Sequence, residues 1–341
     1  MPLLATDATE PTDLRGALVG GLINESVMQT ITDISRIPLP LTNMIGSGSH
    51  GNNYHSWTID KQAQPSTTNA QIDGRISVDN DAAIGDRVGN FSQISTKDIS
   101  VSTRADASDT IGFQKATAYQ TRMRNEDLHR DVEAQICSNT PSVAGTSAVA
   151  SQSAGLQAWL TSNVSNSSGG GFNTGTGVVD ATVPGAATAL TETAVRDVAQ
   201  SVYEKGGNPT MALCVPSVCR AFSEYLFTSS ARIATLTAET NQTGPATGVG
   251  SVNIFVTDFG VTLDLVPSRI MQNTDTNEST MFLIDPSKLE ISYLSGYRSE
   301  RLAKKGLSEE WLMSVDYTLV VNTEEAHGMI AGIDNTAAVT A

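Results

Sequence analysis

The longest periodic segment of the chain spans residues 110–139 and predicts one helix of about seven turns. Asp109 and Thr110 can cap its start, and Pro141 follows its end. The apolar stripe is thin, because charged side chains cover most of the helix. The stripe consists of Met123, Leu128, Val132 and Ile136, and the charged residues include Arg122, Arg124, Glu126, Asp127, Arg130, Asp131 and Glu133. We therefore expect the helix to lie across one face of a sheet and to expose the rest of its surface.

Two segments with strand character enclose a long polar stretch. Residues 54–59 alternate between apolar and polar positions, and a return strand is expected at about 91–103. The residues between them, 60–89, are polar and include Pro65 and Gly74. Because a two-stranded ribbon is only marginally stable alone and long loops are rare without a function, we expect an arm that lies on another protein.

Two other stretches offer few large apolar residues. Residues 1–50 carry short apolar pairs interrupted by Gly and Pro, so we expect them to be disordered or laid over another surface. Residues 138–190 are rich in Gly, Ser, Thr and Ala, and only 156–160 provides an anchor, which predicts one short helix. The run 167–177 is predicted to be a flexible loop.

From residue 191 the pattern predicts a compact α+β unit of about 100 residues. Thr191 caps a helix that ends at Gly206, a buried strand spans 211–215, and Pro216 opens a second helix. Further strands are expected at 252–256 and 261–266, paired as a hairpin, and at 281–284 and 289–294.

The last part of the chain returns to long strands. Residues 311–321 alternate, with the large apolar side chains on one face, and 326–333 is predicted as the second strand of a hairpin. Because a long strand with one apolar face requires a long partner, we expect this hairpin to pack under helix 110–139. A platform built from the middle and the end of the chain would then carry the compact unit as an insertion.

Composition narrows the function classes. The 341 residues include 36 acidic and 21 basic side chains, giving a net charge of −15. Such a surface repels phosphate, which argues against nucleic-acid binding and against docking on anionic lipid. We expect no signal peptide and no membrane span, because no basic leader and no long apolar run are present. Three cysteines without a secretion signal indicate reduced thiols in a cytoplasm.

Candidate nucleotide and metal sites are weak. Gly46, Gly48 and Gly51 match the spacing of a dinucleotide loop, but no buried strand precedes them and no helix follows. His50 and His55 lie near Asp60 without further ligands at suitable spacing, so surface or interface histidines are expected. Two runs of Asp and Asn, 79–81 and 273–277, resemble half a calcium loop but lack the Gly and Glu that complete one.

The remaining chemically active residues also favour structural roles. Cys214 and Cys219 do not have the spacing of a redox pair or a zinc site and are predicted to be free buried thiols, and Cys137 closes the long helix alone. His129 is expected in a solvated ion pair, and His327 begins the last strand. We therefore predict no catalytic, cofactor-binding or metal-binding residues.

The order of elements and several stretches resemble one family. The stretches include VSTRADASDTIGFQKATAYQTRMRNEDLHRDVEAQ, ALTETAVRDVAQSVYEKGGNPTMALCVPS and LAKKGLSEEWLMSVDYTLVVNTEEAHGMI, within about residues 100–333. The Gly-Gly-Asn-Pro turn at 206–209 and the ending at 322–328 are the most specific. The sequence is similar to the SU10-like major head proteins of tailed bacteriophages, which implies the HK97-like fold.

This resemblance implies an α+β fold with a defined division of the chain. It places an N-terminal arm at 1–50, an extended E-loop hairpin at 51–105, a peripheral domain with a long spine helix and a β-sheet at 106–189 and 296–341, and an inserted axial domain at 190–295. It implies no enzyme activity and no cofactor. Some relatives crosslink their shells through a Lys and an Asn; Lys61 lies on the arm, but nothing in the sequence indicates such chemistry.

The implied function is that of a major capsid protein, made in the host cytoplasm and located in the virion head. It would assemble through hexamers and pentamers into an icosahedral shell around double-stranded DNA, which it encloses without specific binding. Scaffolding, cement or decoration, and portal proteins are the implied partners, and no membrane is involved. The alternative is an encapsulin-like bacterial compartment shell of the same fold. A soluble enzyme using residues 46–51 and a tail or fibre adhesin remain further hypotheses.

Overall fold

The computed structural model describes residues 38–62, 65–68, 70–74, 85–108, 115–228, 254–271, 278–304 and 306–337. Within these residues the helices are α1 (Pro40–Met44), α2 (Thr103–Ala107), α3 (Ala116–Ile136), α4 (Leu156–Trp159), α5 (Glu192–Glu204) and α6 (Pro216–Thr228). Short 3-10 turns lie at Pro286–Lys288 and Glu324–Ala326.

The described strands form two larger sheets and three ribbons. The four-stranded sheet has the order β1 (Gly46–Ser49), β14 (Leu289–Arg301), β15 (Ser308–Val321) and β4 (Gln93–Ser102). The six-stranded sheet has the order β11 (Ile254–Val256), β12 (Thr262–Pro267), β10 (Met211–Cys214), β13 (Glu278–Ile284), β16 (Gly328–Asp334) and β5 (Val164–Ser165). The ribbons pair β2 (Tyr54–Ile59) with β3 (Asp86–Phe91), β6 (Ser167–Ser168) with β9 (Val183–Pro184), and β7 (Gly171–Asn173) with β8 (Val178–Asp180).

The long helix lies on the four-stranded sheet, as its thin apolar stripe predicts. Helix α3 packs on β4 and β15, and Leu128, Val132 and Ile136 are buried there. It begins at Ala116, and the expected caps at 109–110 lie outside the described residues. Asp106 of α2 instead accepts hydrogen bonds from the amide and hydroxyl of Thr117, at 2.8 and 2.6 Å. These bonds satisfy an amide of the first helical turn and lower the pKa of Asp106.

The predicted C-terminal hairpin is wrong. Strand β15 pairs antiparallel with β14 and β4, whereas β16 joins the other sheet between β13 and β5. The long partner of β15 is β14, which continues to Arg301 beyond the predicted end at residue 294. After β15, the 3-10 turn at Glu324–Ala326 redirects the chain, so β16 does not fold back onto its predecessor.

The predicted return strand of the arm divides into two strands with different partners. The ribbon is closed by β3, with Tyr54 opposite Phe91 and Ile59 opposite Asp86. The following strand, β4, forms an edge of the four-stranded sheet. The expected strand at 91–103 is thus correct in its conformation for 93–102 and wrong in its pairing.

The compact unit after residue 190 forms as the periodicity predicts, except that the strand expected at 289–294 is part of β14 and lies in the four-stranded sheet. The Thr191 hydroxyl accepts a hydrogen bond from the Ala194 amide at 3.1 Å, and Gly206 ends the helix region with φ +88°. Strands β11 and β12 form the predicted hairpin, and β10 is buried. The apolar core of this unit also takes Ile330 and Ile333 from β16. Strand β14 crosses position 295 without a break, and the domain boundaries stay a prediction.

Residues 138–190 contain the short helix that the sequence predicts at 156–160, but the run 167–177 is not a simple loop. Helix α4 is buried, with Trp159 at its end. The chain after it forms the β6–β9 and β7–β8 ribbons. Gly169, Gly170 and Gly171 all have positive φ, a backbone conformation that L side chains rarely adopt. The Gly richness therefore supports tight turns between paired strands, and the flexible-loop prediction is wrong.

Candidate assembly surface

The base of the predicted E-loop is anchored to the body by the half-buried Trp57 and the fully buried Asn90. The Trp57 indole donates to the Val321 carbonyl at 2.9 Å. The Asn90 amide donates to the Leu319 carbonyl at 2.9 Å and accepts from the Ala154 amide at 3.0 Å. Asn90 is fully buried, so these bonds satisfy groups that water cannot reach. The β2–β3 ribbon therefore leaves the body from a fixed position beside β15.

Aromatic rings pack around this base. The Trp57 and Trp159 ring centroids lie 5.5 Å apart, and Trp159 stacks on Phe172 at 6.1 Å. On the other side of the ribbon Tyr54 contacts Phe91 at 4.8 Å, a separation at which aromatic pairs are stabilising. The short helix and the ribbon within residues 156–180 thus form the surface against which the start of the arm packs.

The arm beyond this base is exposed. Every described residue from 60 to 74 is exposed, and Ile72 has 84% of its surface accessible. The Lys61 ammonium lies 2.7 Å from the Glu325 carboxylate, and the Lys61 side chain is 60% exposed. The lysine that the sequence placed on the arm therefore pairs within its own subunit, next to the turn that precedes β16.

The start of the described chain is held by the spine helix. Glu133 of α3 is fully buried, and its carboxylate accepts hydrogen bonds from the amides of Leu41 and Thr42 at 2.9 and 2.8 Å and from the Thr42 hydroxyl. These amides belong to the first turn of α1, where a helix leaves amide groups unpaired. Glu133 was expected on the solvated face, and that expectation is wrong because α1 covers it.

The two most family-like stretches of the sequence meet in space. A Cβ at Gly207 would lie 2.8 Å from the Cα of Ala326, so only Gly permits the turn at 206–209 to approach the turn at 324–326 so closely. Glu324 in that second turn accepts the amides of Thr161 and Ser162, each at 2.7 Å. The junction therefore ties α5, β5 and β16 together at one point.

Three of the four histidines have structural contacts. His50 has its two ring nitrogens 3.0 and 2.8 Å from the hydroxyls of Ser292 and Ser92, and burial lowers its pKa. His129 stacks on Tyr297 with centroids 3.8 Å apart, so the expected solvated ion pair is wrong. His327 is fully buried, accepts the Asp285 amide at Nδ1, and has its pKa lowered to about 4 by burial.

The glycine-rich match at 46–51 contributes to a sheet. Residues 46–49 form β1, which pairs in parallel with β14.

No group of His, Cys, Asp or Glu suited to a metal ion occurs among the described residues. No helix in the described part of the chain is long and apolar enough to cross a membrane. Cys137 and Cys214 are buried and Cys219 is half-buried; all three are free thiols. The runs 79–81 and 273–277 lie outside the described residues.

The exposed face of α3 is a mixed-charge surface. Asp127 pairs with both Arg124 and Arg130, at 3.2 and 3.1 Å, and Lys97 of β4 pairs with Asp131 at 2.6 Å. Because each charge has a partner of opposite sign, this face carries no concentrated positive field that would attract a polyanion.

Two anchors were missed by sequence reasoning. The sequence analysis assigned no role to Asn90 or Asn163, yet Asn163 is buried and donates to the carbonyls of Glu325 and His327 at 2.8 and 2.9 Å. An Asn inside an alternating strand, such as Asn90, is the one signal that could have indicated a buried amide. Glu133 had no such signal, because it follows Arg130 and Asp131 in a helix that is rich in charged residues.

The fold is similar to solved shell structures. It matches the capsid of a native GTA particle with a TM-score of 0.59 at 13% identity, covering 93% of this chain and 97% of that chain. It matches a protein of Gordonia phage Cozz with a TM-score of 0.58 at 14% identity, covering 97% and 98%. The encapsulin of the holo-SrpI complex from Synechococcus elongatus matches with a TM-score of 0.55 at 13% identity, covering 97% and 98%. The class is thus the α+β, HK97-like fold of capsid proteins.

The family follows from the sequence. Residues 6–334 match the family described as SU10 major capsid protein. No curated protein matches the chain. The chain belongs to the SU10 major capsid protein family, so it is a major capsid protein of a bacteriophage virion that assembles with further copies of itself into the shell. The predicted family, fold and location in the head are confirmed.

Proposed function

We propose that this capsid protein assembles through hexamers and pentamers into an icosahedral shell, and that each E-loop lies on a neighbouring subunit. One observation supports the proposal. The base of the arm is hydrogen-bonded to the body through Trp57 and Asn90, whereas the described residues between 60 and 74 are exposed. Exposed arms make many weak contacts that become strong through repetition in a closed shell.

The domain division is part of this proposal. The N-terminal arm (1–50), E-loop (51–105), peripheral domain (106–189 and 296–341) and axial domain (190–295) follow from the family resemblance. The pairing of β16 with β13, and the burial of Ile330 and Ile333 in the same core as α5, support one revision. Residues 328–334 then belong with the axial sheet, so the chain returns to that domain after residue 295.

The proposed relation to the genome is enclosure without specific binding. The net charge of −15 and the paired charges on α3 support it, because a surface without excess positive charge gains little from phosphate contacts. Scaffolding, cement and portal proteins are the proposed partners. The protein is proposed to have no enzyme activity and no cofactor, which agrees with the structural role of its family.

A compartment shell is the second candidate. The similarity to an encapsulin over 97% of this chain favours it as far as the fold is concerned. The family match over residues 6–334 favours the phage head. Particles purified from the host distinguish the two, since phage heads contain double-stranded DNA and a compartment contains a cargo enzyme.

The arm is tested by replacing residues 62–84 with a short Gly-Ser turn, which keeps β2 and β3 intact. We expect the variant to retain the thermal melting of the unassembled subunit and to form no closed shells in negative-stain electron microscopy. A matched control is Ile72→Ser, which keeps the length of the arm and removes one exposed apolar side chain. Closed shells of normal size from the shortened variant would refute the role of the arm.

A further inference from the structure

Four large apolar side chains lie exposed at one end of the six-stranded sheet. Ile254 and Val256 belong to β11, Phe259 lies in the turn between β11 and β12, and Tyr203 lies at the end of α5; between 38% and 61% of each residue is exposed. The Tyr203 and Phe259 rings stack, with centroids 5.3 Å apart and 14° between their planes. We call these four residues the β11 patch. Single exposed apolar residues are ordinary, whereas neighbouring ones mark interaction surfaces.

The β11 patch continues a sheet face that is buried elsewhere. The strand register pairs Met211 with Asp264 and Asp264 with Ile254, so Met211 and Ile254 point to the same face. Met211 is buried in the larger apolar core, and this core reaches β12 at Val266. Ile254 and Val256 lie one strand further out on this face and are exposed. A partner packed on them would extend the same apolar layer beyond the subunit.

The turn that carries Phe259 is held by contacts on both sides. Arg196 of α5 donates to the Asp258 carboxylate, and its guanidinium carbon lies 5.8 Å from the centroid of the Phe255 ring. The amide and the hydroxyl of Thr257 both interact with the Val261 carbonyl, each at 2.9 Å. Because the turn is already ordered, a partner that binds there immobilises few additional groups, which favours binding.

We propose that the β11 patch is a contact surface for a second copy of this chain, which it meets head to tail in a ring of subunits. The inference rests on the proposed assembly through hexamers and pentamers. The family supplies the partner, because a major capsid protein assembles with further copies of itself. Burial against such a copy removes the four apolar side chains from water.

The charges beside the patch favour the head-to-tail arrangement. Asp264 lies opposite Ile254 and is exposed, and the Asp258 side chain is 62% exposed. If two patches met each other across a two-fold axis, these carboxylates would approach their own copies, which is unfavourable. A contact between the patch and a different surface of the next copy avoids this repulsion, and repetition of such a contact closes a ring.

Hydroxyl-radical footprinting tests whether assembly covers the patch. Unassembled subunits are compared with particles purified from the host, and oxidation is measured by mass spectrometry. Tyr203 lies in tryptic peptide 197–205 and Phe259 in peptide 233–269. We expect both residues to be oxidised about fivefold more slowly in particles, as in the desolvated centre of an interface. Trp159 is buried within the subunit and should react little in either sample. Equal oxidation rates of Tyr203 and Phe259 in the two samples would overturn the inference.

Photocrosslinking identifies what covers the patch. The photoreactive residue p-benzoyl-phenylalanine takes the place of Phe259, and particles are irradiated and digested. We expect covalent multimers of the chain in which the second peptide lies outside residues 192–204 and 254–264. A crosslink between two patches would contradict the head-to-tail contact, and crosslinks to another protein alone would exclude the second copy as the partner.

A charged substitution tests whether the contact is required. Val256→Lys changes an exposed side chain, so we expect unchanged thermal melting of the unassembled subunit and about tenfold fewer closed shells than the wild type. The control is Val149→Lys, which adds the same charge at a residue that is 51% exposed outside the patch, and it should assemble. If both variants fail to assemble, the added charge alone explains the loss and the result counts against the inference.

Failure of the inference differs from failure of the proposed function. Wild-type particles and Val256→Lys particles that form equally well would refute the role of the β11 patch and leave the shell intact. Wild-type subunits that form neither rings nor shells would refute the proposed function, and the inference with it. If Val256→Lys melts at a lower temperature, the footprint and the crosslink on folded particles decide the question.

Discussion

The buried carboxylate of Glu133 offers the sharpest test of how the N-terminal segment is held. Glu133→Ala removes the acceptor for the Leu41 and Thr42 amides and for the Thr42 hydroxyl. The fully buried Leu41 cannot replace this bond with water while α1 stays in place. We therefore expect the substitution either to strain the docked segment or to release it from α3.

Straining the docked segment and releasing it are expected to lower the free energy of unfolding by similar amounts. A hydrogen bond to a charged acceptor contributes about 1.5–3 kcal/mol, so loss of the two amide bonds removes about 3–6 kcal/mol if the segment stays docked. Release instead exposes the side chains of Leu41 and Ile45, at about 1.5–3 kcal/mol each. The backbone freedom regained on release offsets part of this loss. The expected decrease in the free energy of unfolding is therefore about 2–4 kcal/mol.

The assay is urea unfolding of the unassembled subunit, followed by circular dichroism. Glu133→Gln should lose about half as much as Glu133→Ala, since a carboxamide keeps one acceptor oxygen and turns a donor toward the other amide. The control is Arg124→Ala on the exposed face of the same helix. Its side chain is 47% exposed in an ion pair with Asp127, so we expect a change within about 0.5 kcal/mol.

Limited proteolysis separates the two routes. New cleavage within residues 38–45 in Glu133→Ala indicates release, and an unchanged pattern with lower stability indicates a strained, docked segment. The argument fails if Glu133→Ala unfolds within about 0.5 kcal/mol of the wild type, or if Arg124→Ala is equally destabilising.

Three further predictions concern other anchors. Asn90→Ala should lower the free energy of unfolding by about 2–4 kcal/mol in urea, because it leaves the buried Leu319 carbonyl and Ala154 amide without partners; an unchanged midpoint would contradict the anchor. His327 titrates near 6.5 when unfolded and at about 4 when folded, so the unfolded state binds more protons between these values. Stability should thus fall as the pH drops from about 6.5 to about 4, by about 3 kcal/mol in total, and His327→Gln should flatten this part of the pH profile of thermal melting. Lys61→Ala should cost less than about 1 kcal/mol, because its ion pair is exposed to solvent; a larger loss of thermal stability would show that the pair holds the arm.

Several elements could be predicted from the sequence because their causes are local. Helix α5 has its cap at Thr191, its apolar face and its glycine stop within about 16 residues. Strand β15 shows its buried face directly in the alternation of residues 311–321, of which Met313 and Tyr317 are buried. The exposed arm was predicted from polarity and length alone. These features depend on neighbours along the chain, so one sequence suffices to find them.

The candidate assembly surface could be predicted in outline only. The sequence indicates that an arm exists, but its base is defined by contacts that polarity does not reveal. The anchoring residues Trp57 and Asn90 bond to β15 carbonyls, and any strand could have supplied such carbonyls. The absence of a catalytic cluster was likewise expected from spacing and stays a prediction.

What the sequence by itself determined is which segments are helical, extended or exposed, together with the family, which its residues match from 6 to 334. Only the tertiary structure decided which strands pair and which polar groups are buried. Strand β16 pairs in another sheet and not in the expected hairpin. Glu133 was expected to be solvated, but it is buried and caps α1. Leu41 and Glu133 are 92 residues apart, and Asn90 and Leu319 are 229 apart. Periodicity reports only the nearest turns of the chain, whereas pairing and burial depend on distant segments that meet when the whole chain folds.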